Sequence, residues 1–405
     1  MNFVYANTTS LFDFTNGASN SLLLLLQELA SNKHNVHCIT STISDSDEGY
    51  QHSKKVWDNY ANKTKKRSSL IQRFVDSGVK HSLILTRNRD RGNLSNLEQE
   101  LLYREAERII TSRESTSCLI SWGNLLLEEA FFRLAHENCF ITCFYLTNPS
   151  FRGRKCWALT NADMVACDSI STLNLYQNEI KHRGFLLPKP LEKSKSQVSI
   201  KSRVQSKICL FVNPSIEKGL EPFLHLAKHL NNNYPEISLQ CINTTGNLLR
   251  DLDILQINIE DLPQNIQFVQ PTADKDKLYA NARIVLLPSL WHESGSRLIA
   301  ETRIRGIPLL AFKAGGNSEQ LAGTPQDIFE LPEIELRQNS IIRIKSWNHN
   351  DFIQRIIELL LDDESYIKHS EFIQLQGENL RNISHPSLIL EKQIKSTRKY
   401  RQDNH

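Results

Sequence analysis

The sequence predicts an α/β protein built from two doubly wound domains, each with a parallel sheet and helices on both faces. Short apolar strands alternate with longer helices in two successive series, which is the pattern of parallel βαβ units. The length of 405 residues allows two cores. A Lys/Ser-rich stretch without apolar periodicity separates the two series. We therefore predict a first domain over 1–190, a linker over 191–206 and a second domain over 207–375. Residues 376–405 are expected to form a C-terminal helix or tail that packs back on the first domain.

The first series has expected strands at 3–6, 36–40, 82–86, 118–122, 140–146 and 164–167, with helices at 21–30 and 96–111. Residues 45–70 are polar and lysine-rich toward their end, which predicts a loop and an exposed helix. This lysine run fits a solvated face, with contact to an anionic acceptor or to lipid headgroups as the alternative.

The second series has expected strands at 208–212, 238–242, 266–269, 284–287 and 308–312. Helices are expected over 220–230 and in a segment that ends at Gly306. The Ile/Leu spacing after residue 350 predicts a helical C-terminal segment.

Composition excludes several classes of function. The formal charge of +3 is too mild for a nucleic-acid binder, so no nucleic acid is expected as a partner, and it suits an enzyme that handles anionic substrates. Eight cysteines without paired C-x-x-C spacing predict buried thiols and neither a metal site nor a disulfide framework. We expect no metal and no cofactor.

The N-terminal residues MNFVYANTTS lack the basic and long apolar regions of a signal peptide. The most apolar run, SLLLLLQELA, is far shorter than the ~20 residues that span a bilayer. These features predict a cytoplasmic protein, and peripheral association with the inner face of the membrane is left open.

The segment 284–319 is the most informative part of the chain. A buried strand ends at Pro288-Ser289, a polar loop follows, and a helix carries Glu301 eight positions after the loop residue Glu293. Amides of such a loop can hold a phosphate, because unpaired N–H groups and the helix dipole both favour negative charge. A carboxylate in the helix can accept hydrogen bonds from a ribose diol. The pattern predicts a cradle for a nucleoside diphosphate.

A second motif lies at 211–230, where a strand is followed by the tight turn Asn213-Pro214-Ser215 and by Lys218-Gly219 at the start of a helix. Ligands of open α/β sheets bind at the carboxyl ends of strands, where this lysine is expected. Its compact charge suits a diphosphate.

Together the two motifs resemble the donor site of the retaining glycosyltransferases of family 4. That family has the GT-B fold, two Rossmann-like doubly wound domains with an interdomain cleft. The resemblance is carried by Pro-Ser, by E-x7-E from Glu293 to Glu301, by G-x-P, and by GG-x-x-E ending at Glu319. The chain differs in having Thr302 where the family has a small residue, and in lacking the family's arginine in the turn before Lys218.

The resemblance implies transfer of a hexose, with retention, from a nucleoside-diphosphate sugar to a glycan, a lipid-linked molecule or a small molecule. It implies catalytic roles for Glu293 and Lys218, and Arg297 is expected to supply the missing charge. The implied donor-binding residues are Gly17, Ser215, Ser294, Gly295, Ser296, Leu298, Glu301, Gly315 and Gly316. Asn124 is the candidate on the acceptor side.

Two other functions fit the same fold. One is a nucleotide-sugar epimerase, which would need an acid/base set in the first domain. The other is a non-catalytic nucleotide-sugar-binding paralogue, which the absent turn arginine would suit. Release of free nucleoside diphosphate without an acceptor would favour the epimerase.

Overall fold

A computed structural model describes residues 1–66, 68–112, 117–192, 199–337, 341–383 and 385–403. The chain divides into two compact units. Unit 1 comprises Met1–Pro190 together with His385–His405, and unit 2 comprises Leu191–Ser384.

The sheet of unit 1 has eight strands in the order β3-β4-β2-β1-β5-β6-β7-β8. All neighbours are parallel except β3 and β4, which form an antiparallel hairpin. The order reverses between β1 and β5, so the loops after these strands flank the switch point where ligands of such sheets bind. The strands are β1 Asn2–Ala6, β2 Asn35–Ser41, β3 Ile71–Asp76, β4 Val79–Ile84, β5 Ser117–Ser121, β6 Ile141–Leu146, β7 Met164–Cys167 and β8 Gly184–Leu186.

Helices cover both faces of this sheet and bury its alternate side chains in two apolar clusters. A capping box at Ser95 and Glu98 begins the third helix, which the sequence analysis predicted over 96–111. The helices are α1 Gly17–Ser31, α2 Asp47–Thr64, α3 Asn96–Thr111, α4 Leu126–Glu137, α5 Trp157–Asn161, α6 Ile170–Leu175 and α7 Gln177–Ile180.

Unit 2 contains a six-stranded parallel sheet in the order β11-β10-β9-β12-β13-β14 and a separate antiparallel pair, β15 with β16. The order reverses between β9 and β12. The strands are β9 Ile208–Val212, β10 Ser238–Ile242, β11 Ile266–Val269, β12 Ile284–Leu287, β13 Leu309–Phe312, β14 Ile328–Phe329, β15 Glu333–Leu336 and β16 Ile342–Ser346. The helices are α8 Ile200–Val204, α9 Leu220–Asn233, α10 Leu248–Leu255, α11 Lys275–Tyr279, α12 Arg297–Arg303, α13 Asn317–Gln320, α14 Asn350–Leu361 and α15 Asp363–Ile383.

The last helix, α16 (Pro386–Asp403), belongs to unit 1. Its Ser387 hydroxyl donates to Glu28 at 2.7 Å, and Glu391 lies 2.7 Å from the His34 ring nitrogen. The apolar side of the helix buries Leu390 and Ile394 against α1 and the sheet. The chain therefore returns to its first unit after completing the second.

The predicted class, two α/β domains with parallel sheets, is confirmed. Two antiparallel elements are absent from the prediction: the β3–β4 hairpin and the β15–β16 pair. In the segment predicted as a linker, residues 193–198 lie outside the described part of the chain. The segment also contains α8, whose buried Arg203 donates to the carbonyls of Arg305 and Gly306 in unit 2. Among the described residues, no helix is both long and apolar enough to cross a membrane.

Candidate functional site

Two loops meet at the switch point of unit 2, one after β9 and one after β12. Gly219 has φ +92°, and a Cβ on it would lie 1.9 Å from the carbonyl oxygen of Pro288. The amide of Leu290 also donates to the carbonyl of Glu217 at 2.9 Å. Only glycine permits this approach, because any side chain would collide with the neighbouring backbone. The glycine after Lys218 thus joins the two predicted motifs.

The carboxylate of Glu293 is the polar centre of this junction, and the residue is 6% exposed. Three groups contact its Oε1: the Lys218 ammonium at 2.7 Å, the Ser289 hydroxyl at 2.7 Å and the Trp291 indole N–H at 3.1 Å. Within the described residues, no hydrogen bond reaches Oε2. One oxygen therefore fixes the carboxylate, and the other keeps its capacity to accept a hydrogen bond from a ligand.

Burial alone would raise the pKa of Glu293. The adjacent Lys218 charge and the hydrogen bonds from Lys218, Ser289 and Trp291 outweigh burial, so the pKa lies below its ordinary value of 4.5. The Lys218 ammonium also lies 4.7 Å from the centre of the Trp291 ring, in cation–π contact. At neutral pH Glu293 is thus an ionised acceptor and Lys218 a fixed cation.

A third loop, after β13, completes the junction. The amide of Gly316 donates to the Glu293 carbonyl at 2.7 Å. Gly315 has φ +58°, and a Cβ there would lie 2.3 Å from the same carbonyl oxygen. The strands β9, β12 and β13 are neighbours, so loops from three strand ends converge on Glu293. The predicted Ser215 belongs to the first of these loops, and its hydroxyl accepts from the Lys218 amide at 3.3 Å.

Glu301 lies in α12 and is 2% exposed. Tyr279 donates to its Oε2 at 2.8 Å, while Arg297 and Lys275 approach Oε1 at 3.2 and 3.5 Å. Burial alone would raise the pKa of this carboxyl. The charges of Lys275 and Arg297 and the hydrogen bond from Tyr279 outweigh burial and lower the pKa to about 2. Glu301 is therefore ionised at neutral pH, and Tyr279, Arg297 and Lys275 contact its carboxylate.

Arg297 forms an ion pair with Glu301 within α12. Its side chain is only 9% exposed and pairs with Glu301 one helical turn away. The guanidinium pairs with Glu301 in this structure, and its role as a phosphate cation stays a prediction. Sequence reasoning also missed Lys275 and Tyr279, which come from α11. Their segment, DKDKLYA, carries no motif that marks them.

The loop amides expected to hold phosphate are partly engaged. The Ser296 amide donates to the Gln320 side-chain oxygen at 2.6 Å, and the Gln320 amide group returns a 3.3 Å hydrogen bond to the Ser296 carbonyl. Ser294 is buried, whereas Gly295 and Leu298 are half-buried. Gln320, from α13, was not anticipated from the sequence. Its side chain occupies both the amide and the carbonyl of Ser296.

The predicted residues of unit 1 lie at the carboxyl edge of its sheet. Gly17 is the exposed first residue of α1, and Asn124 is exposed just after β5, next to Gly123 at φ +109°. Their strands, β1 and β5, flank the switch point of this sheet. The buried Glu128 accepts from the Thr8 hydroxyl at 2.5 Å and from the Leu125 amide at 3.1 Å, so it ties the two loops together.

No group of three or more His, Cys, Asp or Glu side chains suited to a metal occurs in the ranges that the structure covers. Lys218 pairs with Glu293, and Lys275 and Arg297 pair with Glu301.

Residues 192–374, a little under half of the chain, match the family model for glycosyl transferases group 1. The matched residues fall within unit 2. A curated relative, spore coat protein SA of Bacillus subtilis (strain 168), is 25% identical over 181 residues. That match covers 43% of this chain and 44% of the relative, so the chain spans less than half the length of the curated protein it matches.

Solved structures resemble the whole chain. TarM aligns with a TM-score of 0.66 at 12% identity over 98% of both chains. HepE of Anabaena, solved in complex with UDP-glucose, gives 0.66 at 12% identity over 99% of this chain and 100% of its own. The α,α-trehalose 6-phosphate synthase of Burkholderia multivorans gives 0.60 at 11% identity over 100% of this chain and 98% of its own. At these identities the likeness establishes the GT-B fold.

Proposed function

We propose that this protein is a retaining glycosyltransferase that moves a hexose from a UDP-sugar to an acceptor. The observation that carries the proposal is the carboxylate of Glu293, which is buried and ionised. Lys218 holds one of its oxygens, and the other can accept a hydrogen bond at the junction of three strand ends. A group 1 domain over 192–374 supports a sugar transferase, and the UDP-glucose complex of the similarly folded HepE supports UDP as the nucleotide.

Lys218 is proposed to bind the diphosphate. Its ammonium lies at the carboxyl ends of the strands and pairs with Glu293 across the loop junction. As the glycosidic bond breaks, negative charge grows on the departing diphosphate, and a fixed cation stabilises that charge without reorganisation. The charge of Lys218 is suited to this role because Trp291 and Glu293 hold it in place.

Glu293 is proposed to orient the sugar through Oε2. A hydroxyl of the hexose would donate to this oxygen while Ser289, Trp291 and Lys218 keep Oε1 fixed. Such preorganisation favours the transition state, because the carboxylate does not move when the sugar changes geometry. With a pKa below its ordinary value, Glu293 accepts hydrogen bonds and is not suited to donate a proton.

Glu301 is proposed to bind the ribose, sharing its carboxylate with the donors already present. Arg297 and Lys275 keep it ionised, so a ribose hydroxyl meets a full negative charge. Arg297 then contributes to donor binding mainly by holding Glu301. The loop residues Ser294, Gly295 and Leu298 are proposed to line the diphosphate. Gly315 and Gly316 are proposed to line the part of the site that binds the sugar. Ser215 is proposed to bind the donor next to Lys218, whose amide donates to its hydroxyl.

A thermal-unfolding screen tests the donor. UDP and UDP-glucose should raise the melting temperature, whereas GDP- and ADP-sugars should not. A ligand at a hundred times its Kd adds about 2.7 kcal/mol to the free energy of unfolding. Radiolabelled UDP-glucose should then yield a labelled acceptor product with retained anomeric configuration. Epimerised donor, or rapid release of UDP without any acceptor, would contradict this proposal and would favour an epimerase. Binding without turnover would indicate a non-catalytic paralogue.

A further inference from the structure

Three loops at the carboxyl edge of unit 1 form a continuous surface, which we call the rim. It consists of residues 122–126 after β5, 147–156 after β6 and 169–171 after β7. These strands are consecutive neighbours in the sheet, about 4.8 Å apart. The Cys156 thiol donates to the Gly123 carbonyl at 3.6 Å, and the Tyr176 hydroxyl donates to the Asn148 carbonyl at 3.2 Å. The base of the middle loop is thus tied to the elements on both sides.

The middle loop carries three exposed cations, Arg152, Arg154 and Lys155. None of the three forms an ion pair with any residue that the structure describes. The three rim segments contain no Asp or Glu, so the rim carries three positive charges that no rim carboxylate offsets. Nearby Glu129 pairs with Arg133 at 2.6 Å within α4 instead. An exposed, uncompensated cluster of this kind favours an anionic ligand.

Apolar side chains flank the cations on both sides. Leu126, on the β5 side, is 85% exposed, and Ile170, on the β7 side, is 53% exposed. Across the three strand ends the surface is therefore apolar, cationic and apolar. Cations attract the anionic headgroups of a bilayer, and flanking apolar side chains gain by entering the boundary between headgroups and acyl chains. A soluble anion would use only the cations and would leave the leucine and the isoleucine in water.

We propose that the rim binds an anionic lipid surface, and, resting on the proposed transferase function, that the acceptor is presented there. Unit 1 carries the rim at the carboxyl edge of its sheet, the edge where Gly17 and Asn124 also lie. The acceptor class is thus a lipid-borne molecule at a negatively charged membrane.

The test is cosedimentation of the full chain with vesicles of phosphatidylglycerol and phosphatidylcholine in equal parts. Replacing Arg152, Arg154 and Lys155 together by alanine should weaken vesicle binding on the order of a hundredfold, since each cation near such a surface contributes about 1 kcal/mol, a factor of about five. The matched control replaces Lys54, Lys55 and Lys63 of α2, which are also exposed, and should change binding less than about threefold. Leu126→Ser should weaken binding roughly tenfold.

Several results would overturn the inference: no binding to these vesicles, equal losses in the rim and α2 variants, or full competition by soluble glycerol phosphate. Titration of UDP-glucose into the same samples separates this inference from the proposed function. Donor binding without vesicle binding rejects the rim proposal and leaves the transferase proposal standing. Vesicle binding that depends on the rim, without donor binding, supports the rim as a lipid-binding surface and rejects the transferase proposal.

Discussion

At the residue scale, two buried carboxylates eight positions apart have different surroundings. Glu293 is held through one oxygen and retains the other, whereas Glu301 is contacted at both oxygens. Burial would raise the pKa of each, and in both cases neighbouring cations and hydrogen bonds outweigh burial and keep the group ionised. The contrast predicts different consequences when each is changed to its neutral amide.

We predict that Glu293→Gln lowers kcat more than it lowers UDP affinity, because the contact proposed between Glu293 and the sugar would strengthen as the glycosidic bond breaks. Glu301→Gln should weaken UDP and UDP-glucose binding alike, by roughly 1.5–3 kcal/mol, since the ribose does not change during transfer. Calorimetric titration with UDP and steady-state kinetics measure the two effects. Equal affinity losses in both variants would refute this division of roles, as would unchanged affinity in Glu301→Gln. A thermal melt of each variant controls for loss of fold, because Glu301→Gln leaves Arg297 and Lys275 without their carboxylate.

Lys218 supports a second prediction at this scale. Lys218→Ala should reduce kcat/KM by an amount equal to about 2–4 kcal/mol of transition-state free energy, because it removes the cation proposed to contact the leaving diphosphate. Lys228→Ala is the matched control, since this lysine is exposed on α9 and should have near wild-type kinetics. If purified Lys218→Ala retains near wild-type kcat/KM with UDP-glucose, Lys218 does not bind the diphosphate.

At the element scale, the site depends on close backbone contact between strand-end loops. Gly219 allows the β9 loop to touch Pro288, and Gly315 allows the β13 loop to touch Glu293. Both glycines also have positive φ, so each position combines a backbone conformation unfavourable for other residues with a contact that excludes a side chain. The three loops can therefore converge because glycine occupies positions 219 and 315.

Gly219→Ala should cost about 1–3 kcal/mol more stability than Gly153→Ala. Both positions have positive φ, +92° and +69°, so both variants carry similar backbone strain. Only at Gly219 would the new Cβ meet backbone, whereas nothing lies within 4 Å of it at Gly153. Chemical denaturation measures the difference. Equal losses in the two variants would show that the contact with Pro288 does not constrain the loops.

At the scale of the whole molecule, the chain returns to unit 1 through α16. The helix is separated by more than three hundred residues of sequence from α1, yet it buries Leu390 and Ile394 in the same apolar cluster as Leu22 and Leu26. Hydrogen bonds from Ser387 to Glu28 and between Glu391 and His34 fix its position. The fold of unit 1 is complete only when the C-terminal segment is present.

Leu390→Ala should therefore lower the free energy of unfolding of unit 1 by about 2–5 kcal/mol, the usual cost of a large cavity in a core. Leu388→Ala on the same helix is the control, because Leu388 is 51% exposed and should change stability by less than about 0.5 kcal/mol. Most of the UDP affinity should be retained in both variants, since Lys218, Glu293 and Glu301 lie in unit 2 and only Gly17 of the expected donor residues lies in unit 1. Denaturation and UDP titration check both points. A Leu390→Ala protein as stable as wild type would mean that α16 is not part of this core.

Local sequence patterns were enough to predict the fold class, most strands of the two sheets, and Lys218, Glu293 and Glu301 as candidate site residues. These follow from local information: apolar runs of strand length, a turn followed by a helix start, and carboxylates at a fixed spacing. The hairpin of β3 and β4 was missed because β3 lies at the sheet edge and is only partly buried, so it lacks the continuous apolar run of the inner strands.

The partners that hold those residues, and the charges around them, come from contacts between distant parts of the chain. Tyr279 and Lys275 reach Glu301 from another helix, Gln320 reaches Ser296 from a third, and Ser289 and Trp291 turn onto one oxygen of Glu293. Arg297 has the expected position in the chain but pairs with Glu301, because both side chains are buried one helical turn apart and neither can remain uncompensated there. Pairing between side chains depends on distances in space and on burial, which spacing along the chain does not specify.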